Sequence, residues 1–411
     1  MSWPTKRLNE CVRFLSGGTP NKAKSEYWSG DIPWVSSAEM TDRFLSDTSL
    51  KISVAGLEAG SRLVPEGTTF AVVRGMSLAK EFRISLAQRP MAFNQDVKAL
   101  IPEPGIDGLF IFYSLSAHAN SIRELATEAA HGTKKLEMSR LENYMIHVPD
   151  DIDLQRVVAS VAFTYDDLIA TNQRRIALLE DAARRLYREW FVHLRFPGHE
   201  SVPVKDGVPE GWHKQTLASV AAVNARSIGA RDKPDSVLYI DISSVSTGLI
   251  GEVTPYAFVD APGRARRRVD HGDVIWSCVR PNRRSHALIW EPDEKLVAST
   301  GFAVLSAISV PFSYLYFTTT TDDFVGHLEQ NATGAAYPAV TAKTFEDAEI
   351  LVPKGDTLAA FDQVALRQLE QTETLKKQNR SLAQARDLLL PKLMSGQLDV
   401  SGIALPDEVA A

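Results

Sequence analysis

The chain is written twice, and this constrains its fold more than any other feature. Trp3 to Val12 (WPTKRLNECV) reads like Trp212 to Val220 (WHKQTLASV). Ile32-Pro33-Trp34-Val35-Ser36-Ser37 is echoed by Tyr239-Ile240-Asp241-Ile242-Ser243-Ser244, and Val64 to Arg74 by Val269 to Arg280. Each half then passes through a Gly-Thr or Thr-Gly segment to an apolar strand ending in Val-Pro (Val148-Pro149, Val352-Pro353) and on into a long helical pattern. A period of roughly 200 residues is far above the 20–50 of solenoid repeats. The chain is a duplicated domain, and whatever one half binds it should bind twice.

At 411 residues, a rough 100–200 residues per domain allows two to four domains. The 44% hydrophobic and 23% charged fractions permit a sizeable core in each half. Cys11 and Cys278 are lone and distant, which argues against a disulfide framework and a thiolate metal site. The start, MSWPTKRLNE, has no apolar signal-like region, and no run reaches about 18 apolar residues. Neither secretion nor membrane insertion is indicated, and a cytoplasmic location is expected. A net charge of −6 gives no global pull toward nucleic acid, so any DNA binding must come from local basic surfaces.

Two textures alternate. Residues 1–150 hold short β-like runs (Thr69 to Arg74, Val97 to Ile101, Tyr144 to Val148) punctuated by Gly and Pro, with one helix expected at Gly108 to Ser116. This reads as an α+β globule, mostly sheet, and residues 197–354 repeat it. Between them, over 151–196, Leu154, Val158, Val161, Tyr165 and Leu168 recur at spacings of three and four, continued by Ile176, Leu179, Ala183, Leu186 and Trp190. That predicts one helix with an apolar seam, roughly 55 Å long from Leu154 to Trp190. A second, over 355–400, carries Leu375, Leu382 and Leu389 and is expected to stop at Pro391. A tail, 401–411, follows. Two seams of similar length suit an antiparallel coiled-coil pair with pseudo-twofold symmetry. The alternative is that each seam packs on its own domain, though the helices are too long for one domain to cover.

This order resembles the specificity subunit of type I restriction-modification systems. Ser16-Gly17-Gly18-Thr19-Pro20, followed by Tyr27-Trp28-Ser29-Gly30-Asp31-Ile32-Pro33-Trp34, resembles the opening of that family's target-recognition domain. Leu186-Tyr187-Arg188-Glu189-Trp190-Phe191 with Arg195-Phe196-Pro197-Gly198 resembles the end of its central helix, and Val208-Pro209-Glu210-Gly211-Trp212 the start of its second domain. Leu388-Leu389-Leu390-Pro391-Lys392-Leu393-Met394-Ser395-Gly396 resembles its C-terminal signature. The second half lacks a full Ser-Gly-Gly-Thr-Pro and has Asn224-Ala225-Arg226-Ser227 nearby, which leaves its contacts open. The resemblance implies DNA recognition without catalysis. One half-site of a bipartite, asymmetric target is read by each domain, with a fixed gap set by the helix pair. The implied partners are double-stranded DNA, two methyltransferase subunits that use S-adenosylmethionine, and motor-nuclease subunits that use ATP and Mg2+. This chain itself would hold no cofactor.

Enzyme readings find little support. There is no G-x-x-x-x-G-K-[S/T], no glycine-rich cofactor turn after a strand, no H-E-x-x-H and no Cys/His cluster. Asp96-Val97-Lys98, with Glu66 upstream, could form the end of a metal-dependent nuclease core. The corresponding stretch of the second half, Ala298 to Ala303, carries no carboxylate, so Asp96 is read as structural.

The strongest basic cluster runs from Pro262 to His286 and holds Arg264, Arg266, Arg267, Arg268, Arg280, Arg283 and Arg284, against only Asp270 and Asp273. Arginine suits phosphate clamping and bidentate contact with guanine, and Asn282 could read adenine; the alternative is a solvated loop. Arg226 joins these candidates. In the first half they are Lys22, Lys24, Arg74, Lys80, Arg83, Lys134 and Lys135. Lys134-Lys135 after Gly132-Thr133 is matched in place by Thr333-Gly334-Ala335-Ala336-Tyr337, where Tyr337 could stack on a base or simply pack. Arg174, Arg175, Arg184, Arg185 and Arg188 sit among helical acids and read as solvated or partner-facing. Trp190 and Phe191 read as core or subunit contacts.

Overall fold

The computed structural model describes residues 3–129, 133–229, 231–232 and 234–400; Gly132 and the tail 401–411 lie outside them. The chain divides into two compact units, one comprising Met1–Thr171 with Gln378–Ala411, the other Asn172–Lys377.

In the first unit a five-stranded sheet has the order Val12–Ser16, Val97–Pro102, Thr69–Val72, Ile84–Ala87, Phe44–Leu45. A four-stranded sheet has the order Lys51–Ile52, Ile32–Val35, Met91–Phe93, Leu63–Val64. All four residues of Thr69–Val72 are buried. Ala71 belongs to one core cluster, while Phe70 and Val72 belong to another. A strand covered on both faces reads as a continuous apolar run, which is why this segment stands out in the sequence. Helix α1, Gly108–Ala117, starts at Asp107, whose carboxylate accepts from the Phe110 N–H at 2.8 Å; Phe110 to Leu115 are all buried.

The second unit repeats the pattern. Ala221–Val223, Phe302–Ala307, Val274–Ser277 and His286–Leu288 form one sheet; Thr254–Ala257, Ser236–Ile240, Leu296–Ser299 and Ala265–Arg268 form the other. Thr69 opposite Leu100 and Val72 opposite Val97 are matched by Val274 opposite Leu305 and Ser277 opposite Phe302. The one parallel pair in each four-stranded sheet corrects the sequence echo. Trp34 pairs with Ala92 and Tyr239 with Val297, each partner five residues before Val97 and Phe302. Trp34 therefore corresponds to Tyr239, and the alignment of Ile32 with Tyr239 is displaced by two residues. The Ser-Ser pairs drew the echo out of place, whereas register is set by the buried strand partners.

Helix α2, Ile152–Tyr187, ends in a wider π-type turn over Arg188–Val192. Beyond α3, Phe312–Thr319, helix α4 covers Gly355–Met394. In the first unit Asn379 donates to the Ile169 carbonyl at 3.4 Å, and Arg386 pairs with Asp166. In the second, Lys376 lies 3.8 Å from Glu180, and the Phe361 and Tyr187 rings are 5.9 Å apart. Position along α2 falls as position along α4 rises, so within each unit the segments pack antiparallel. Two expectations need correction. Leu168 is exposed, and the buried stripe runs through Gln155, Val158, Ala159, Ala162, Asp166 and Asn172. The domain also presses on α2 there, with the Asp107 N–H donating to the Gln155 side chain at 2.8 Å, and this rotates the buried face. Helix α4 also runs through Pro391 rather than stopping there. Burial of Leu390, Leu393 and Met394 in the first unit's core offsets the single hydrogen bond that proline removes.

Candidate nucleic-acid interface

In both units the chain leaves the central strand and pairs with a distant hairpin. In the first, Arg74–Gly75 pairs with Lys134–Lys135, which pairs in turn with Thr127–Glu128. The short turn Ser77–Ala79 packs against the same strands and is followed by Lys80, whose carbonyl accepts from Arg123 at 2.7 Å. Arg74, Lys134 and Lys135 thus lie on one small sheet, with Lys80 at the end of the turn packed against it. Lys135 pairs with Glu137 at 3.0 Å. Arg83 is half-buried and bonded to Glu81 and to the Ser37 carbonyl, so it serves the fold. Lys22 and Lys24 lie on another loop, where the Lys24 ammonium sits 5.0 Å from the Tyr27 ring centre.

In the second unit Val279 bridges Ala339, the Arg280 N–H donates to the Pro338 carbonyl at 2.7 Å, and Thr333 faces Ala339 as Thr127 faces Lys135. Lys134 and Lys135 therefore match Pro338 and Ala339, later on the same hairpin than the sequence match implied. Arg280 stands where the first unit has Gly75. The one-turn helix Pro281–Arg283 is bracketed by Arg280 and Arg284, with φ of 52° and 53°. Left-handed backbone at two arginines is uncommon and concentrates at functional turns. The Arg280 guanidinium lies 4.5 Å from the ring centre of Tyr337, which is 68% exposed, and 3.4 Å from the Ala336 carbonyl. Stacking and hydrogen bonding hold Arg280 in place. Asn282 and Arg283 are exposed, and neither side chain has a hydrogen bond or ion pair among the described residues.

The rest of the basic run is divided. Arg264 and the edge strand Ala265–Arg268 form a separate element, in which Arg266 covers Phe258 at 4.8 Å and Arg267 donates to Ser227 at 3.1 Å. Arg268 lies 3.8 Å from Asp232, and Arg264 is exposed. Arg226 is clamped between Asp270 and Asp273. Burial holds the Asp273 carboxyl above its ordinary range against the pull of Arg226. Arg284 pairs with Asp322 at 2.5 Å and lines a cleft of about 400 Å³ with Arg184, Arg188, Trp276 and His286. Burial, then the charges of Arg184 and Arg284, push His286 down to about 4. Nothing in the sequence pattern marked Arg184 and Arg188 as neighbours of Arg284. Trp190 and Phe191 pack on Phe361, in keeping with a core role.

The nuclease-like set does not form a metal cluster. Lys98 bonds to Ser16, the Asp96 carbonyl accepts from the Val73 N–H at 3.2 Å, and no three His, Cys, Asp or Glu side chains gather at one point among the described residues. Among those residues no helix is long and apolar enough to cross a membrane.

The family described as the type I restriction modification DNA specificity domain matches residues 2–181. The chain is 22% identical to the type I restriction enzyme MjaIX specificity subunit of Methanocaldococcus jannaschii, over 97% of this chain and 94% of that one. It is 32% identical to the EcoR124I/EcoR124II specificity subunit of Escherichia coli over 37% of this chain and 38% of the relative. The crystal structure of a type I S subunit from M. genitalium shares the fold at 15% identity, with a TM-score of 0.56 and 95% and 96% of the two chains covered. The duplicated α+β domains, the two long helices and these matches agree: residues 2–181 match the type I restriction modification DNA specificity domain, and along nearly its whole length the chain is similar to specificity subunits of type I restriction-modification systems.

Proposed function

We propose that this subunit reads a bipartite, asymmetric DNA target, one half-site per recognition domain (1–150 and 197–354). The helices of 151–196 and 355–400 hold the gap between half-sites at a fixed length and carry two methyltransferase subunits. Those subunits methylate adenine with S-adenosylmethionine, and motor-nuclease subunits using ATP and Mg2+ join them for restriction in the cytoplasm; this chain supplies recognition alone. The observation that carries the reading is the hairpin repeated beside the extension of the central strand, bearing Lys134 and Lys135 in the first domain and paired in the second with the segment that presents Arg280, Asn282 and Arg283. Similar readers at fixed separation set half-site spacing in dimeric DNA-binding proteins, and here one chain supplies both.

The test is to express the chain with its methyltransferase partner and sequence the methylated adenines of the host. A discontinuous motif with one gap length supports the reading. A continuous motif, or methylation unchanged by removal of this chain, overturns it.

A further inference from the structure

We propose that Met76 reads the C5 methyl group of a thymine in the half-site of the first recognition domain, an inference that rests on the DNA-reading function above. Met76 is 74% exposed. It follows Gly75, whose φ of 144° is open to glycine, and precedes the turn Ser77–Ala79. That turn already has its apolar anchor in Leu78, which is fully buried, so the fold does not need Met76. Arg74, Lys134 and Lys135 lie on the adjoining three-stranded sheet, and Lys80 closes the turn.

The second domain supplies the comparison. There the residue paired like Gly75 is Arg280, and the turn after it presents Asn282 and Arg283. Met76 itself stands where the second domain has Pro281, and the turn that begins there exposes the polar Asn282 and Arg283 in one domain and the apolar tip of Met76 in the other. Arginine and asparagine can donate to base edges, but a thioether has no donor and distinguishes bases only by apolar contact. Thymine alone among the four bases offers a methyl group in the major groove. The surrounding cations suit the flanking phosphates, which position a reader without carrying sequence information. Methionine's unbranched side chain can adapt to such a contact.

The experiment uses the full chain assembled with its methyltransferase subunits and a duplex carrying the site found by sequencing methylated adenines. Each thymine is replaced singly by deoxyuridine, which lacks only the C5 methyl. We expect one replacement, in the half-site whose recognition is insensitive to Arg283→Ala, to weaken binding about fourfold, the factor for one methyl group withdrawn from water. Met76→Ala should weaken the parent duplex similarly and abolish that sensitivity, while Met76→Leu should keep it. The assignment is overturned if that half-site has no thymine, if no replacement matters, or if Met76→Ala leaves the sensitivity intact. Equal binding of site and scrambled duplex would instead overturn the DNA-reading function itself.

Discussion

Asp166 and Arg386, 220 positions apart, form an ion pair at which α2 meets α4 in the first unit. The Asp166 side chain is 4% exposed, and its carboxylate also accepts from the Tyr113 hydroxyl at 2.8 Å and from Arg43 at 3.0 Å. One carboxylate therefore ties together α1, α2, α4 and the loop holding Arg43. Burial first, and then the Asp166 charge, push the Tyr113 hydroxyl well above its usual range, so it stays protonated and donates.

Asp166→Ala should be strongly destabilising, because it removes the buried partner of Arg386, leaving only the exposed Asp387 beside it, and takes the acceptor from Tyr113 and Arg43. Loss of one partner from a buried pair costs about 3–5 kcal/mol. Urea unfolding of the purified chain should show a large fall in midpoint, and a change equivalent to less than about 1 kcal/mol, as for an exposed pair, would contradict the assignment.

Arg283 and Arg226 should separate binding from stability. Arg283→Ala should weaken DNA binding by the assembled methyltransferase and lower its salt slope by about one, with the unfolding midpoint unchanged. Arg226→Ala should instead destabilise by about 1–3 kcal/mol, because Asp273 is left buried without its partner. Binding measured by anisotropy from low to high salt, alongside thermal melts, checks both; equal effects of the two changes would refute the division.

His286 makes stability depend on acid. Its folded value of about 4 lies below the ordinary 6.5, so the unfolded chain takes up this proton first as pH falls. The contribution is complete above pH 6.5 and lost toward pH 4, about 3 kcal/mol in all. His286→Phe, which can keep an aromatic beside Trp276 and Tyr316, should show a shallower loss of stability between pH 6.5 and 4 than the parent chain. Parallel pH profiles would show that His286 is not the group responsible.

Lengthening the helices tests the proposed ruler. Four helix-forming residues inserted after Asn172, matched by four after Lys377 because α4 packs antiparallel, add about 6 Å and slightly more than one turn. With base pairs about 3.4 Å apart along a strand, the methylated motif should gain one or two base pairs of gap while both half-site sequences stay the same. Methylation at the original gap would rule out the ruler.

The duplication, the α+β class and the long helices were legible along the chain, because these rest on local periodicity and on motifs that repeat along one dimension. The buried strand Thr69–Val72 and helix α1 were legible for the same reason: each writes its burial into a short run of residues. The run from Pro262 to His286 was legible as charge but not as a site. Only tertiary structure divided it, tying Arg226 to Asp270 and Asp273, Arg284 to Asp322, and leaving Asn282 and Arg283 open. The pairing of Trp34 and Tyr239 with their strands, the passage of α4 through Pro391 and the Asp166 knot were likewise decided in three dimensions. Each depends on which distant side chain supplies a partner or a buried surface, and no spacing within a segment encodes that.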